Sequence, residues 1–521
     1  MSDTTITFLV LAATVIVFVW DQVPVAIVAI GVALSLWATG VLDLNQALHG
    51  FGDPAVLFIA SLFVVSEALD ATGVTSWAGQ ELINRSGESR TRLIVLMMLL
   101  VAALTALISV NGSVAALVPV VVVMAVRLGR SPSQLLMPLA FAAHAGSLLV
   151  LTGTPVNVIV SEAADEAGVG SFGYFSFALV GIPLLAGTIA IVVLFGERLL
   201  PQRTARTLPR DFSAHARTLV EQYELDHTAD SLLTRRYGVA EVVIPPRSTA
   251  VGATVLPGMV TDSGDLVILA VQRNGEDLGP NESVLAVGDT LLLRGKWAAL
   301  DENLDDPAVL VVDQPDLVRR QAVPLGPGAK RALVVLGAMV VLLATGAVPP
   351  VVAGLLAAGA IVLSRVLSIE QSYRAISWTT VILVAGMIPL STAMQESGAA
   401  AKLADGLVRI VGDAGPYALL AGLFLLTATL GQLISNMATA LIVIPVAVSA
   451  AADMSVSARP VLMSVTVAAA ASFLTPVATP ANLMVMGPGG YRFADYWKLG
   501  LPLLALFGVV ATLLVPVFWS F

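Results

Sequence analysis

Two short polar knots, each caught inside an apolar run, constrain this 521-residue chain more than any other feature. The first is Ser109-Val110-Asn111-Gly112-Ser113, within Ile108–Pro119; the second is Ser435-Asn436-Met437-Ala438-Thr439, within Leu433–Pro445. A further polar break follows each one, Thr152-Gly153-Thr154-Pro155-Val156-Asn157 and Thr479-Pro480-Ala481-Asn482. Asn111 and Asn436, Thr154 and Thr479, and Asn157 and Asn482 are all separated by 325 residues. One offset shared by two elements predicts an internal duplication with an insertion between the copies.

Composition says what the copies are embedded in. The chain is 57% hydrophobic and 12% charged, against roughly 25% charged residues in soluble domains, which predicts a polytopic membrane protein. The charges are segregated, with 30 of the 63 falling in residues 201–320, so that stretch reads as a soluble insert. The net charge of −9 argues against a nucleic-acid partner. The absence of cysteine excludes disulfides and thiolate metal sites. The first apolar run lacks a basic flank and a small-residue cleavage site, and is expected to be a retained helix.

Stretches long enough to span, at about 20 residues each, are Ile6–Trp20, Val23–Val41, Pro54–Ala71, Gln134–Val160 and Phe175–Phe195. The second half repeats them as Ala332–Gly346, Pro350–Leu367, Trp378–Met394, Val461–Met486 and Leu499–Trp519. Between the third and fourth spans of each half lie Leu93–Val126 and Leu419–Ala452, which contain the knots and read as re-entrant hairpins. Non-helical backbone at membrane depth is tolerated only where protein or a water-filled cavity satisfies it. The expected fold is therefore an all-α polytopic membrane protein with re-entrant hairpins and broken helices. The expected boundaries are a first membrane repeat over 1–200 (hairpin 93–127, broken helix 134–160), an insert with linkers over 201–325, and a second repeat over 326–521 (hairpin 419–452, broken helix 461–486).

Five crossings per half predict that the second copy is inverted. Arg85, Arg90, Arg92, Arg127 and Arg130 flank the first hairpin, and Arg198, Arg203, Arg206, Arg210, Lys330 and Arg331 flank the insert. Asp43, Asp53, Glu162, Asp165 and Glu166 fall on the opposite loops. By the positive-inside rule the insert is cytoplasmic, the first hairpin opens inward, the second opens outward, and both termini face out. Within the insert, Leu200 to about Asp211 reads as a basic linker and Ala214–Leu233 as a short helix. Val239–Gly295 alternates like a small β-domain punctuated by Pro-Pro, Ser-Gly, Asn-Gly and Val-Gly-Asp turns.

Asn111 and Asn436 are the strongest candidate ligands. An asparagine oxygen can ligate a hard cation while its amide donates to an anion, and a half-helix N-terminus directs positive potential to the same place. The plainer reading is that each asparagine caps a hairpin helix; the duplication favours a site. Thr154-Pro155 and Thr479-Pro480 could be ordinary proline kinks, but Asn157 and Asn482, three residues after each threonine, favour an unwound, ligating loop. Glu67 lies inside an apolar span and is a coupling candidate, with a position near the interface as the alternative. His144 precedes the first break, and a satisfied core histidine competes there with a proton relay. No Arg or Lys falls at a predicted mid-membrane position, so an anion would be held by dipoles, amides, hydroxyls and Na⁺.

The pattern resembles the divalent anion/sodium symporter family, the sodium-dicarboxylate and sodium-sulfate carriers, over both membrane halves. That family carries a Ser-Asn-Thr signature at each hairpin tip and a Thr-Pro-Pro-Asn type sequence in each unwound helix. Ser435-Asn436 match the tip signature, with Met437 where threonine is usual; Val110-Asn111-Gly112 keeps only the asparagine. Thr154-Pro155-Val156-Asn157 and Thr479-Pro480-Ala481-Asn482 match with the middle proline replaced. The resemblance implies one Na⁺ near Ser109, Asn111, Gly153 and Asn157, and a second near Ile434, Asn436, Ala478 and Asn482. It places the substrate among Asn111, Gly112, Ser113, Thr154, Ser435, Asn436, Met437, Thr479 and Pro480. The missing threonines remove hydroxyls that the family uses on carboxylates, leaving sulfate or another small oxyanion at least as favoured. The insert resembles the TrkA-C lobe of potassium-transport regulatory subunits through Val243-Ile244-Pro245, Ser248, Gly252, Ala270–Gly275 and Val287-Gly288-Asp289. Such lobes commonly dimerise and can bind small ligands, which implies regulation.

The expected function is sodium-coupled uptake of a divalent oxyanion by a homodimer in the lipid bilayer, with no enzymatic activity. Two rivals stay open. One is a proton-coupled carrier in which Glu67 or His144 titrates; the other is a cation channel or antiporter gated by the insert.

Overall fold

In a computed structural model, the structure describes residues 2–521 except 21, 87–88, 128–129, 204–218, 220–231, 235, 305–307, 314, 316–317, 319–324, 412–414 and 477. The expected helix over 214–233 lies almost wholly outside the described residues. The chain forms two compact units, one of residues 1–67, 81–209 and 333–521, the other of residues 68–80 and 210–332.

Along the chain the order of helices is repeated. Asp3–Trp20 and Ala329–Thr345 open the two copies, followed by Val25–Ala38 and Pro350–Leu363. Short helices Leu44–Leu48 and Ile369–Ala375 come next, each started by a capping box. Asp43 accepts from the Gln46 amide at 2.8 Å and Ser368 from the Gln371 amide at 3.0 Å, while each glutamine oxygen accepts from the cap's own N–H. This reciprocal arrangement satisfies two orphan donors at each helix start. The long helices Pro54–Ala71 and Trp378–Glu396 follow, then Val74–Ser86 and Ala399–Val411. None of the short or amphipathic helices at 44–48, 74–86, 369–375 and 399–411 was among the expected spans, because they carry polar residues on one face.

Both hairpins form: Arg90–Leu107 with Val110–Arg127, and Pro416–Leu433 with Asn436–Asp453. Their register corrects the arithmetic made from the asparagines. The capping serines Ser109 and Ser435, the helix starts Val110 and Asn436, and the internal prolines Pro119 and Pro445 are all 326 residues apart. The loops entering and leaving the hairpin therefore differ in length between copies. Asn436 is equivalent to Val110, and Asn111 to Met437; the two asparagines occupy adjacent, not identical, positions of the duplicated turn.

The copies pack on each other reciprocally. A Cβ on Gly386 would lie 2.7 Å from the Ala29 carbonyl oxygen, and one on Gly354 would strike Ser61 and lie 2.7 Å from Phe58. Gly386 and Ala29 correspond to Ser61 and Gly354 at the 325-residue offset, so one contact occurs twice with its partners exchanged. Small residues let helix backbones approach closely where burying apolar surface offers no gain over lipid. Among the described residues eight helices are long and apolar enough to span a bilayer. Ile182, Leu194, Val334, Leu356, Leu363 and Leu425 are exposed on apolar helices, as a lipid-facing surface requires.

The second unit contains a five-stranded antiparallel sheet in the order β4-β3-β6-β1-β7. Its strands are β1 Tyr237–Val243, β3 Leu266–Arg273, β4 Glu276–Asp277, β6 Thr290–Lys296 and β7 Leu310–Val311; β2 Thr254–Val255 pairs with β5 Ser283–Val284. Asn274 and Gly275, with φ of 53° and 85°, turn β3 into β4, the left-handed pair that a two-residue hairpin demands. Alternation fills both faces, with Val242, Ile268 and Leu293 packed on Trp297 and Leu300, and Val239, Ala270 and Leu292 on Leu219 and Leu232. Gly238 leaves room for the Trp297 ring, whose Nε1 donates to the Thr234 carbonyl at 2.9 Å. Arg273 donates twice to Asp289, each at 2.8 Å, and the Ala286 amide also donates to it, so the Val287-Gly288-Asp289 turn is fixed by one carboxylate.

Two outcomes follow from this packing. Gly386→Leu and Gly354→Leu should each lower the detergent-solubilised unfolding temperature, at a cost of about 1–3 kcal/mol from overpacking. Gly359→Leu, where a Cβ meets nothing within 4 Å, should leave it unchanged. The Asp289 carboxyl is held below the ordinary carboxylate range by its hydrogen bonds from Arg273. Its stabilisation is thus present above about pH 4 and lost as pH falls below that; Asp289→Asn should remove this acid-limb dependence in thermal unfolding followed from pH 3 to 7.

Candidate functional site

Each tip is a two-residue interruption between two helices, Ile108-Ser109 and Ile434-Ser435. Ile108 leaves the helical region at φ −114°, ψ −82°, and Ile434 at φ −126°, ψ 169°. The next residue caps the restarting helix: Ser109 accepts from the Gly112 amide at 3.1 Å, and Ser435 from the Ala438 amide at 3.2 Å. Beyond the cap, Asn111 is exposed, Asn436 half-buried and Met437 buried. Ser113 and Thr439, equivalent at the 326-residue offset, are fully buried, and neither hydroxyl has a hydrogen-bond partner. Buried unpaired hydroxyls are costly, so each tip holds a polar group that none of the described residues satisfies. The two tips share no hydrogen bond among the described residues.

Both expected breaks are present. The helix Ser133–Gly146 stops, residues 147–154 are unwound apart from a 3-10 turn at Leu151–Gly153, and Pro155–Glu166 restarts it. In the second copy Ala458–Ala470 stops and Pro480–Met486 restarts. Proline at the first helical position is favourable because its missing N–H is one the helix start could not use. The asparagine two residues after that proline stitches the break closed. Asn157 Nδ2 donates to the carbonyls of Ser147 (2.8 Å) and Val150 (2.9 Å); Asn482 Nδ2 donates to those of Ser472 (2.8 Å) and Thr475 (3.1 Å). Every partner is displaced by 325 residues. A following helix presses a glycine on each break, Gly181 against the Leu148 carbonyl and Gly500 against the Phe473 carbonyl.

Tip and break of each half are tied together. The Thr152 hydroxyl donates to the Ala106 carbonyl and the Thr475 hydroxyl to the Gln432 carbonyl, each at 3.3 Å; Ala106 and Gln432 are equivalent positions near the end of the entry helix. Gln432 adds two bonds, accepting from the Leu474 amide (3.0 Å) and donating to the Ala471 carbonyl (3.1 Å). The halves also interlock: Val110–Arg127 packs on Pro480–Met486, and Asn436–Asp453 on Pro155–Glu166. Gly153, Ile434 and Ala478 are buried beside these breaks and tips, Ser109 and Thr154 are half-buried, and Pro480 is exposed.

His144 is buried between the halves. Its Nε2 lies 3.3 Å from Asn482 Oδ1 and 3.2 Å from Thr479 Oγ1. Because the Asn482 amide nitrogen is committed to two carbonyls, its oxygen faces the ring, and Nε2 carries the hydrogen. Glu67 is half-buried in its helix. Sequence reasoning did not single out Gln432, an isolated amide in an apolar run, or Ser66, whose hydroxyl lies beside Gly112 at the first tip. It also set Asp53 and Glu162 only on a charged loop. They line a cavity of about 530 Å³ together with Glu166, Thr392, Gln395 and Leu441 of the second exit helix. Burial first, and then the Asp53 carboxylate, push the Glu162 carboxyl up to about 8.

The chain matches the citrate transporter family model (CitMHS) over residues 15–468. It is 31% identical to an uncharacterized transporter, YfbS, of Escherichia coli K12 over 98% of both chains. It is also 28% identical to sodium/sulfate cotransporter 1 of Chlamydomonas reinhardtii, over 56% of this chain and 34% of that one. The crystal structure of the Alcanivorax borkumensis YdaH transporter shares the fold, with a TM-score of 0.52 at 14% identity over 97% of this chain and 99% of that one. The relatives are transporters rather than enzymes, and the apolar helices make this a multi-pass membrane protein. This chain belongs to the citrate transporter family.

Proposed function

We propose that the protein is a sodium-coupled symporter for a small divalent oxyanion, with sulfate favoured over dicarboxylates, working by alternating access. The observation that carries this reading is the duplicated tip-and-break unit, in which Thr152 and Thr475 tie each unwound segment to its hairpin. Such units gather backbone carbonyls and amide oxygens, which suit Na⁺, beside helix starts, which suit an anion. One cation site would use Ser109, Asn111, Gly153 and Asn157, the other Ile434, Asn436, Ala478 and Asn482. Substrate would contact Asn111, Gly112, Ser113, Thr154, Ser435, Asn436, Met437, Thr479 and Pro480. The unpartnered hydroxyls of Ser113 and Thr439 support a polar ligand there. Similarity to sodium/sulfate cotransporters supports both the ion and the oxyanion.

In this reading repeats 1–200 and 326–521 are inverted in the membrane; the exchanged Gly386/Ala29 and Gly354/Ser61 contacts support a two-fold relation between them. Residues 201–325 form a cytoplasmic TrkA-C-like domain that takes a small-molecule regulator, both termini lie outside, and the carrier is a homodimer. A second reading, proton coupling, is favoured by one observation, the Asp53–Glu162 pair in an acid-lined cavity.

Uptake of labelled sulfate, succinate and citrate into proteoliposomes, with Na⁺ or choline outside at fixed pH, separates the readings. Sodium-dependent sulfate uptake is expected; equal uptake in choline would reject sodium coupling. Asn111→Ala and Asn436→Ala should each reduce uptake by roughly ten- to a hundredfold without loss of expression, the effect of losing an ion-assisted hydrogen bond of about 1.5–3 kcal/mol. Full transport by the Asn436 variant would reject the site. Under proton coupling, Glu162→Gln would instead abolish the pH dependence of uptake between pH 6 and 9.

A further inference from the structure

The two breaks share the asparagine that closes them but differ in what that asparagine's oxygen meets. Ser147 Oγ donates to the carbonyl of residue 144 and Ser472 Oγ to that of residue 469, which makes His144 and Ala469 equivalent positions. The helix bearing His144 packs on Pro480–Met486, and the helix bearing Ala469 packs on Pro155–Glu166, the same contact with the halves exchanged. Asn157 and Asn482 are both fully buried and both spend their amide nitrogens on the same two carbonyls of their breaks. Their amide groups are thus fixed in the same attitude. Asn482 Oδ1 meets the His144 ring, whereas Asn157 Oδ1 has no partner among the described residues, and alanine stands where the histidine would be.

A carboxamide oxygen stripped of water and left unpaired is costly, and a native protein holds one only where something else completes it. A ring N–H and a sodium ion present the same feature to such an oxygen, positive charge density at short range. We propose that the two breaks bind cations unequally. Asn157 Oδ1 is a ligand for a sodium ion at the first break, while the His144 N–H takes the equivalent place at the second and orders that break without a cation. The inference rests on the sodium-coupled reading and narrows it, since Asn482 Oδ1 is then withdrawn from the second cation site. It makes His144 a residue that sets cation stoichiometry rather than a proton relay.

Binding of ²²Na⁺ to the purified full-length protein tests this. His144→Ala frees Asn482 Oδ1 and should raise the number of sodium ions bound per chain by one. His144→Gln, which retains an N–H donor, should keep the wild-type number. Ala469→His brings a donor to Asn157 Oδ1 and should weaken one sodium site by at least tenfold; it decides the matter alone if His144→Ala does not fold. Unchanged stoichiometry in His144→Ala, or unchanged affinity in Ala469→His, overturns the inference while leaving sodium coupling intact. Absence of sodium binding in the wild type overturns the sodium reading itself, and the inference with it.

Discussion

The structure depends on keeping backbone open where there is no water to satisfy it. An unwound stretch inside a membrane exposes carbonyls and amides that a helix would pair, each costing several kcal/mol if left alone. Here a single amide group closes part of that deficit in each break: Asn157 and Asn482 each place two N–H bonds on the carbonyls of their own break. Proline at the restart removes one donor that would otherwise be stranded, and a glycine on a neighbouring helix allows backbone to seal the far side. The break is therefore a stable element with fixed carbonyl directions, which a binding site needs.

A second consequence follows from repeating this element. The first hairpin's exit helix packs on the second half's restarted helix, and the second hairpin's exit helix on the first half's. Each half thus supplies part of the wall around the other's broken helix. Small residues at exchanged positions, Ala29 with Gly386 and Ser61 with Gly354, permit the same crossing at two places. The interlocking brings unwound segments from chain positions more than three hundred residues apart into one region, where His144 reaches Thr479 and Asn482.

The repeat is not exact. His144 has alanine as its counterpart, Gln432 also has alanine, and the acid-lined cavity of Asp53 and Glu162 has tryptophan and glycine at the equivalent positions 378 and 487. A scaffold built twice from one plan must lose its equivalence somewhere if the two faces are to treat ions and substrate differently. These are three of the places where it does so.

The sequence by itself determined the membrane character, the duplicated order, both hairpins and both breaks, because those rest on hydropathy run length, proline and polar punctuation, all of which are local. The small β-domain was legible for the same reason, through alternation and the Asn-Gly turn. Only the tertiary structure decided the hairpin register, since a one-residue difference in flanking loops makes Ser109 and Ser435, not Asn111 and Asn436, the equivalent pair. It also decided what the asparagines of the breaks hold, and that one of them leaves an oxygen unmet. Hydrogen-bond partners drawn from opposite halves have no local signature, because they are fixed by how two surfaces meet and not by the order of residues along either one.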